Sequence, residues 1–256
     1  MIKLVNLILE NEQKPKAVFL AGPAGSGKST FVRQYLNNKS LKSINIDDTY
    51  EELLKASCLD KPQSEYDADE LSSAAKLMGQ ARKDTASKLQ QCMDQGDNLV
   101  IDGTGAASNP IAKKKQNLED LGYETFMVFV YVSPITSLQR NKARGKQGGR
   151  ALRPSIILRT WNNTTQNIDT FKKMFGNNFI VVDNDPKGAI KNYSQEEINK
   201  YFATVAYKGK PKSPEEQAKS DKEEKEMIAN IKQALSNPPD FADQSTISNK
   251  INRFIG

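Results

Sequence analysis

The stretch that most restricts how this chain can fold runs from Ala17 to Thr30 and reads AVFLAGPAGSGKST. Ala17 to Leu20 is a short apolar run that predicts a buried strand. It leads directly into Gly22-Pro23-Ala24-Gly25-Ser26-Gly27-Lys28-Ser29, the pattern G-x-x-x-x-G-K-[ST], and Phe31 to Leu36 follows at helical spacing. Strand, glycine-rich turn and helix in that order make a phosphate cradle. Glycines let the backbone curl so that successive N–H groups face inward, and the following helix turns its positive end toward an anion. Gly22, Ala24, Gly25, Ser26, Gly27, Lys28, Ser29 and Thr30 are thus candidates to hold a nucleoside triphosphate. Lys28 would reach the β- and γ-phosphates, and the Ser29 hydroxyl would sit on Mg2+.

The rest of the first 183 residues alternates. Lys42 to Asp48 reads as a second strand with Asp47 and Asp48 at its carboxyl end, followed by a helix over Thr49 to Ser57. Leu59 to Tyr66 reads as a loop. Asp67 to Gln95 carries apolar residues at i, i+3, i+4 and i+7, and Gly96-Asp97 stops that helix. Asn98 to Asp102 is a third strand. Ser108 and Pro110 read as the cap and early proline of a helix to about Leu121. Thr125 to Val132, TFMVFVYV, predicts a central strand. Pro134 to Arg144 reads as helix, Gly145 to Arg153 as a Gly/Arg-rich loop, Ser155 to Phe175 as helix and Asn178 to Val182 as a last strand.

Strands separated by helices imply an α/β fold, a P-loop NTPase three-layer sandwich around a parallel sheet. Ligands of such sheets gather at the carboxyl ends of the strands, where the glycine-rich loop, Asp47 and Asp102 all fall. Beyond Asn184 the pattern weakens. Ser194 to Tyr207 reads as a further helix, Lys208 to Glu226 as a charged linker or solvated helix, and Met227 to Leu235 as a short amphipathic helix broken by Asn237-Pro238-Pro239. The remaining apolar residues, Phe241, Ile247, Ile251, Phe254 and Ile255, are scattered. The expected division is a kinase-like domain over 1–207 and a largely helical or disordered extension over 208–256.

Composition removes several chemistries. The chain of 256 residues has no histidine and two cysteines, Cys58 and Cys92, in no C-x-x-C pair. Zinc fingers, histidine bases and Cys/His nucleophiles are excluded. Free thiols without an export signal point to a cytoplasmic protein, and the apolar part of Met1 to Glu10 is too short to span a membrane. The net charge of +6 suits anionic substrates without requiring a nucleic-acid polymer.

The residues outside the loop narrow the class. A GTPase switch needs a base-reading N-K-x-D, and Asn141-Lys142-Ala143-Arg144 lacks the aspartate. A motor ATPase places acids after its apolar strand, and here Ser133-Pro134 follows. Asp47 beside the loop and arginines after Pro134 suit phosphoryl transfer to a hydroxyl. A carboxylate takes the acceptor's proton, and arginines neutralise charge in the transition state.

Four pieces, G-P-A-G-S-G-K-S-T, I-N-I-D-D, V-I-D-G-T-G and R-N-K-A-R-G-x-x-G-G-R-A-L-R-P, resemble the P-loop kinases that group phage-type polynucleotide 5′-kinases with zeta-toxin-like kinases. The resemblance spans about Lys16 to Asp183. It implies ATP and Mg2+ as cofactors and Asp47 as general base. Arg140 and Arg144 would bind nucleotide, with Arg144 and Arg150 closing over the phosphates, and Asp102 would serve Mg2+ or the acceptor. The family often has an arginine gripping the acceptor phosphate three residues after the base, and here that residue is Tyr50. Structural roles stay open beside these: Asp47 and Asp48 as a helix cap, and Asp102 as a cap of the Gly103-Thr104-Gly105 turn. The expected reaction is transfer of the γ-phosphate to a hydroxyl of a nucleoside, nucleotide or polynucleotide end. The alternatives are a nucleotide sugar as acceptor, or a nucleotide-gated binding module whose C-terminal extension recruits a protein partner.

Overall fold

A computed structural model of the chain describes residues 14–37, 40–59, 61, 65–146, 152, 154–186, 196 and 213–255. Five strands, β1 (Lys16–Ala21), β2 (Leu41–Ile44), β3 (Asn98–Asp102), β4 (Glu124–Tyr131) and β5 (Phe179–Asp183), form one sheet in the order β2-β3-β1-β4-β5. Every pairing is parallel, and β1 lies between β3 and β4, with Phe19 opposite Ile101 on one side and Met127 on the other. The chain steps from β1 to one edge of the sheet and then returns to β1's other side for β4. The loop after β1 therefore opens at the point where the winding reverses, the position at which such sheets bind ligands.

The two faces of the sheet are both covered, as the unbroken apolar sequence of β4 requires. Ala17, Phe19 and Ala21 of β1 share one cluster with Leu99, Ile101, Met127, Phe129, Trp161 and Phe171. Val18 and Leu20 share the other with Phe31, Val100, Phe126, Val128 and Val130. That is the period of two expected of strands buried on both sides.

After β1 comes α1 (Lys28–Phe31), which widens into π-helical turns over Val32–Leu36, and after β2 comes α2 (Ile46–Ala56). The long helix α3 (Ala68–Asp94) starts from a reciprocal capping box between Asp67 and Glu70. Tyr50 and Leu54 of α2 pack with Leu59, Tyr66, Ala74 and Ala81 in a satellite core. Then follow α4 (Ser108–Asp120), α5 (Pro134–Lys146), α6 (Pro154–Gln166), α7 (Ile168–Phe175), α8 (Pro214–Ser236) and α9 (Gln244–Ile255).

Several expectations shift. β2 stops at Ile44, and Asp47 and Asp48 lie in the first turn of α2, because Asn45 caps that helix through the Asp47 N–H. Ala107, not Ser108, stands at the cap position of α4. Gly145 and Lys146 continue α5. The single helix expected over Ser155 to Phe175 is two, parted at Asn167. Of the helix expected over Ser194 to Tyr207, only Glu196 is among the described residues.

The C-terminal part differs most. From Pro214 to Ser236 the charged stretch and the amphipathic stretch form one helix, α8. Ile231 is fully buried in the first cluster, and Ile247, Ile251 and Phe254 are buried in the second. The Phe254 ring lies 4.9 Å from Phe126, the Phe241 ring 5.2 Å from Tyr131, and the Ala242 N–H donates to the Val181 carbonyl at 3.0 Å. Ile247, Ile251 and Phe254 are spaced one helical turn apart on α9 and complete the core on one face of the sheet, while Phe241 packs on the other. The apolar residues after Pro239 therefore pack against the sheet. No helix among the described residues is long and apolar enough to cross a membrane.

Candidate functional site

The loop between β1 and α1 is shaped by glycines where side chains cannot fit. Gly22 has φ 150°, and a Cβ there would collide with the Val130 carbonyl of β4. Its N–H donates to the Thr104 carbonyl at 3.0 Å, and the Gly103 N–H donates to the Leu20 carbonyl at 3.1 Å, so the loop after β3 is stitched to the end of β1. Gly27 has φ 90° and would collide with the Asn184 side chain. Only glycine meets both demands without strain. Ser26 is fully buried, and its N–H closes a turn onto the Pro23 carbonyl at 3.1 Å.

Lys28 bends back over the loop and donates to the Gly22 carbonyl at 3.0 Å, holding its ammonium at the loop's mouth. Ser29 and Thr30 are exposed in the first turn of α1. Ala24 and Gly25 line the outer bend and are half-buried.

The carboxylates gather beside this mouth. Asp102 ends β3; its Oδ2 accepts from Asn45 Nδ2 at 3.4 Å, while its Oδ1 is sealed from solvent with no partner. Burial pushes the Asp102 carboxyl above its ordinary 3.8, Lys28 opposes that rise, and Asp47 and Asp48 reinforce it. Asp48 is raised mainly by desolvation, against the Asn45 hydrogen bond and with repulsion from Asp47 and Glu52. Asp47, Asp48, Asp102 and Lys28 thus share one electrostatic neighbourhood. Among the described residues no group of three or more Cys, Asp or Glu forms a metal cage. The sealed Asp102 Oδ1 would suit one ligand of a hard cation, with phosphate oxygens and the Ser29 hydroxyl as the others the sequence suggests.

Arg140 lies against the glycine-rich loop. Its Nη1 donates to the carbonyls of Gly25 at 3.0 Å and Ser26 at 3.4 Å, and its Nη2 donates to the Asn184 carbonyl at 2.8 Å. It holds the loop's own backbone. Arg144 is exposed in the last turn of α5, and Arg150 lies outside the described residues. Asn141 of the same motif exchanges two hydrogen bonds of 2.8 Å with the backbone of Leu152, joining the ends of the Gly/Arg-rich segment. Tyr50 is buried between α2 and α3.

Sequence reasoning missed three polar residues here. Asn45 had a readable signal, an asparagine just before an acidic helix start. Ser137, which donates to the Ala24 carbonyl, and Asn184, which donates to the Ser26 carbonyl at 2.7 Å, had none.

This strand, glycine-rich loop and helix with neighbouring carboxylates has the arrangement expected of a P-loop. The chain is similar in fold to a chain of the PezAT chromosomal toxin–antitoxin system of Streptococcus pneumoniae, with a TM-score of 0.50 at 15% identity over 91% of this chain and 94% of that one. A chain of the Pnkp1/Rnl/Hen1 RNA repair complex aligns with a TM-score of 0.44 at 18% identity, over 63% of this chain and 47% of that one. No curated protein matches the chain. The zeta toxin family model matches residues 5–197, so the chain belongs to the zeta toxin family, among the P-loop kinases.

Proposed function

We propose that the chain moves the γ-phosphate of ATP to a hydroxyl group, with Mg2+ bound at Ser29 and Asp102. The observation that carries this reading is the convergence of Lys28 at the mouth of the loop with Asp47, Asp48 and Asp102 in one electrostatic field. A protein that only holds nucleotide has no use for that acidic set, in which burial raises the Asp102 carboxyl, Lys28 opposes the rise, and Asp47 and Asp48 add to it.

Loop N–H groups and Lys28 would hold the triphosphate and gather charge on its β- and γ-oxygens. Asp47, exposed in the first turn of α2, would take the proton of the acceptor hydroxyl, a role no histidine can fill. Bound Mg2+ would neutralise phosphate charge and align the oxygens. Arg144 would add positive charge from the end of α5.

For the acceptor, one observation favours a nucleotide sugar over a polynucleotide end. Tyr50 replaces the arginine that grips an acceptor phosphate in the polynucleotide kinases, and it is turned into the α2–α3 core at 2% exposure. Membership in the zeta toxin family leans the same way. Labelled ATP offered with nucleosides, nucleotides, oligonucleotides and nucleotide sugars in parallel tests this. Label transferred to a nucleotide sugar alone is the expected result. Transfer to none, with ATP bound, would leave the binding-module reading standing.

A further inference from the structure

We propose that Ser137, Arg140 and Asn184 form a latch that pre-sets the phosphate loop by capturing its carbonyl groups, and that Arg140 acts through the loop without touching phosphate. The inference rests on the loop being the phosphate site, as argued above.

Three successive loop carbonyls are each taken by a side chain from outside the loop. Ser137 Oγ donates to Ala24 O, Arg140 Nη1 to Gly25 O at 3.0 Å, and Asn184 Nδ2 to Ser26 O at 2.7 Å, with Arg140 adding a longer contact to Ser26 O at 3.4 Å. In a trans peptide the C=O of one residue and the N–H of the next point in opposite directions. Holding Ala24 O and Ser26 O on the outside therefore turns the N–H groups of Gly25 and Gly27 to the inside. Among the described residues neither N–H makes a turn or loop bond to a backbone carbonyl. Two donors fixed in place make a concave anion site whose reorganisation is settled before the ligand arrives.

The latch is itself anchored. Arg140 Nη2 donates to Asn184 O at 2.8 Å, and the Asn184 N–H donates to Tyr131 O at 2.9 Å, extending the β4–β5 ladder by one bond. Asp185 accepts from the Ser133 N–H at 2.8 Å at the start of α5. Gly27 has no Cβ because Asn184 occupies that space. Arg140 has its guanidinium committed to three carbonyls, so a phosphate would have to displace it from them.

Four variants test this: Arg140→Met, Arg140→Lys, Asn184→Ala, and the double variant Arg140→Met/Asn184→Ala. Calorimetric titration with inorganic triphosphate, which lacks base and sugar, and with ATP gives the affinities. Each single change should weaken both ligands alike, Arg140→Met by about tenfold, the scale of a lost charge-assisted hydrogen bond, and Asn184→Ala by less, the scale of a lost neutral one. Arg140→Lys should rescue little, because a point charge cannot span three carbonyls. The double variant should lose less than the sum of the two single losses, since both side chains reach the Ser26 carbonyl and hold one loop conformation. In steady state KM for ATP should rise while kcat changes less. Silence of Asn184→Ala together with rescue by Arg140→Lys would overturn the proposal, because Arg140 would then contact phosphate directly. Fully additive losses would overturn it as well. Should the parent protein bind no triphosphate, the kinase reading fails by itself. Faster amide exchange of the loop in the unliganded variants would then still support the latch, and unchanged exchange would refute it.

Discussion

Removing α9 should cost most of the stability of the fold. Cutting the chain after Ser236 deletes Ile247, Ile251 and Phe254, which are 0%, 2% and 9% exposed and lie against Val18, Leu20, Phe126 and Val128 on one face of the sheet. Burial of an Ile or Phe side chain contributes about 1.5–3 kcal/mol, so these three together contribute roughly 5–9 kcal/mol. Domains of this size are stable by only about 5–15 kcal/mol. The truncated chain should therefore unfold at much lower urea concentration or fail to fold cooperatively. Urea titration followed by tryptophan fluorescence suits the assay, because Trp161 is fully buried and donates to the Val132 carbonyl at 2.7 Å. Ile251→Ala, at about 2–5 kcal/mol, gives a graded version that keeps the backbone. A truncated chain with the midpoint and slope of the full chain would refute the packing reasoning, and the apolar residues after Pro239 would then be dispensable.

Four further outcomes bear on the chemistry. Lys28→Ala should abolish ATP-dependent thermal stabilisation while leaving the unliganded melting temperature close to that of the parent, which calorimetry with and without ATP checks. Asp47→Asn should lower kcat by about 10²–10⁴-fold with ATP binding kept, while Asp48→Asn does much less; the reverse order would shift the base by one residue. Arg144→Ala should slow transfer by on the order of 10³-fold if it meets transition-state charge, with a smaller loss of ATP affinity, read from kcat and Kd. Asp102→Asn should stabilise the unliganded fold near neutral pH. Its folded-state pKa is raised, so the parent's stability is fully present below the unfolded value of 3.8 and falls as pH rises through the folded pKa. The gain should vanish in acid, and a gain independent of pH would count against burial as its cause.

The sheet was legible because its strands are apolar on both faces and its loops are not. TFMVFVYV could belong nowhere but a covered sheet, and Asn98 to Asp102 matches β3 residue for residue. The shift at Asp47 has a local reason. Ile44-Asn45-Ile46 alternates like a strand, yet Asn45 accepts the Asp47 N–H and starts a helix, and capping outweighs two residues of alternation. The stripe of α9 was legible, since Ile247, Ile251, Phe254 and Ile255 stand at i, i+4, i+7 and i+8, although they read as scattered above. The latch was hidden: Arg140 meets Gly25 across 115 residues and Asn184 meets Ser26 across 158. Hydrogen bonds from side chain to backbone leave no periodicity, so a motif arginine was read by its charge alone.

The C-terminal segment and the phosphate loop meet at the end of β5. Ala242 N–H donates to Val181 O at 3.0 Å, and Gln244 Nε2 donates to Asp183 O at 3.2 Å, one residue before Asn184 reaches into the loop. From the other side, Leu20 of β1, two residues before Gly22, lies in the same cluster as Ile247 and Ile251. The segment thus supports both walls of the loop: β1, which leads into it, and β5, which carries the latch. Coupling of this kind follows from contact, since strand ends are only as fixed as the layers that cover them. Gln244→Ala separates the two contributions. It removes a single exposed contact and leaves the buried stripe of α9 whole, so any loss of ATP affinity at unchanged stability would report support of the latch and not of the core.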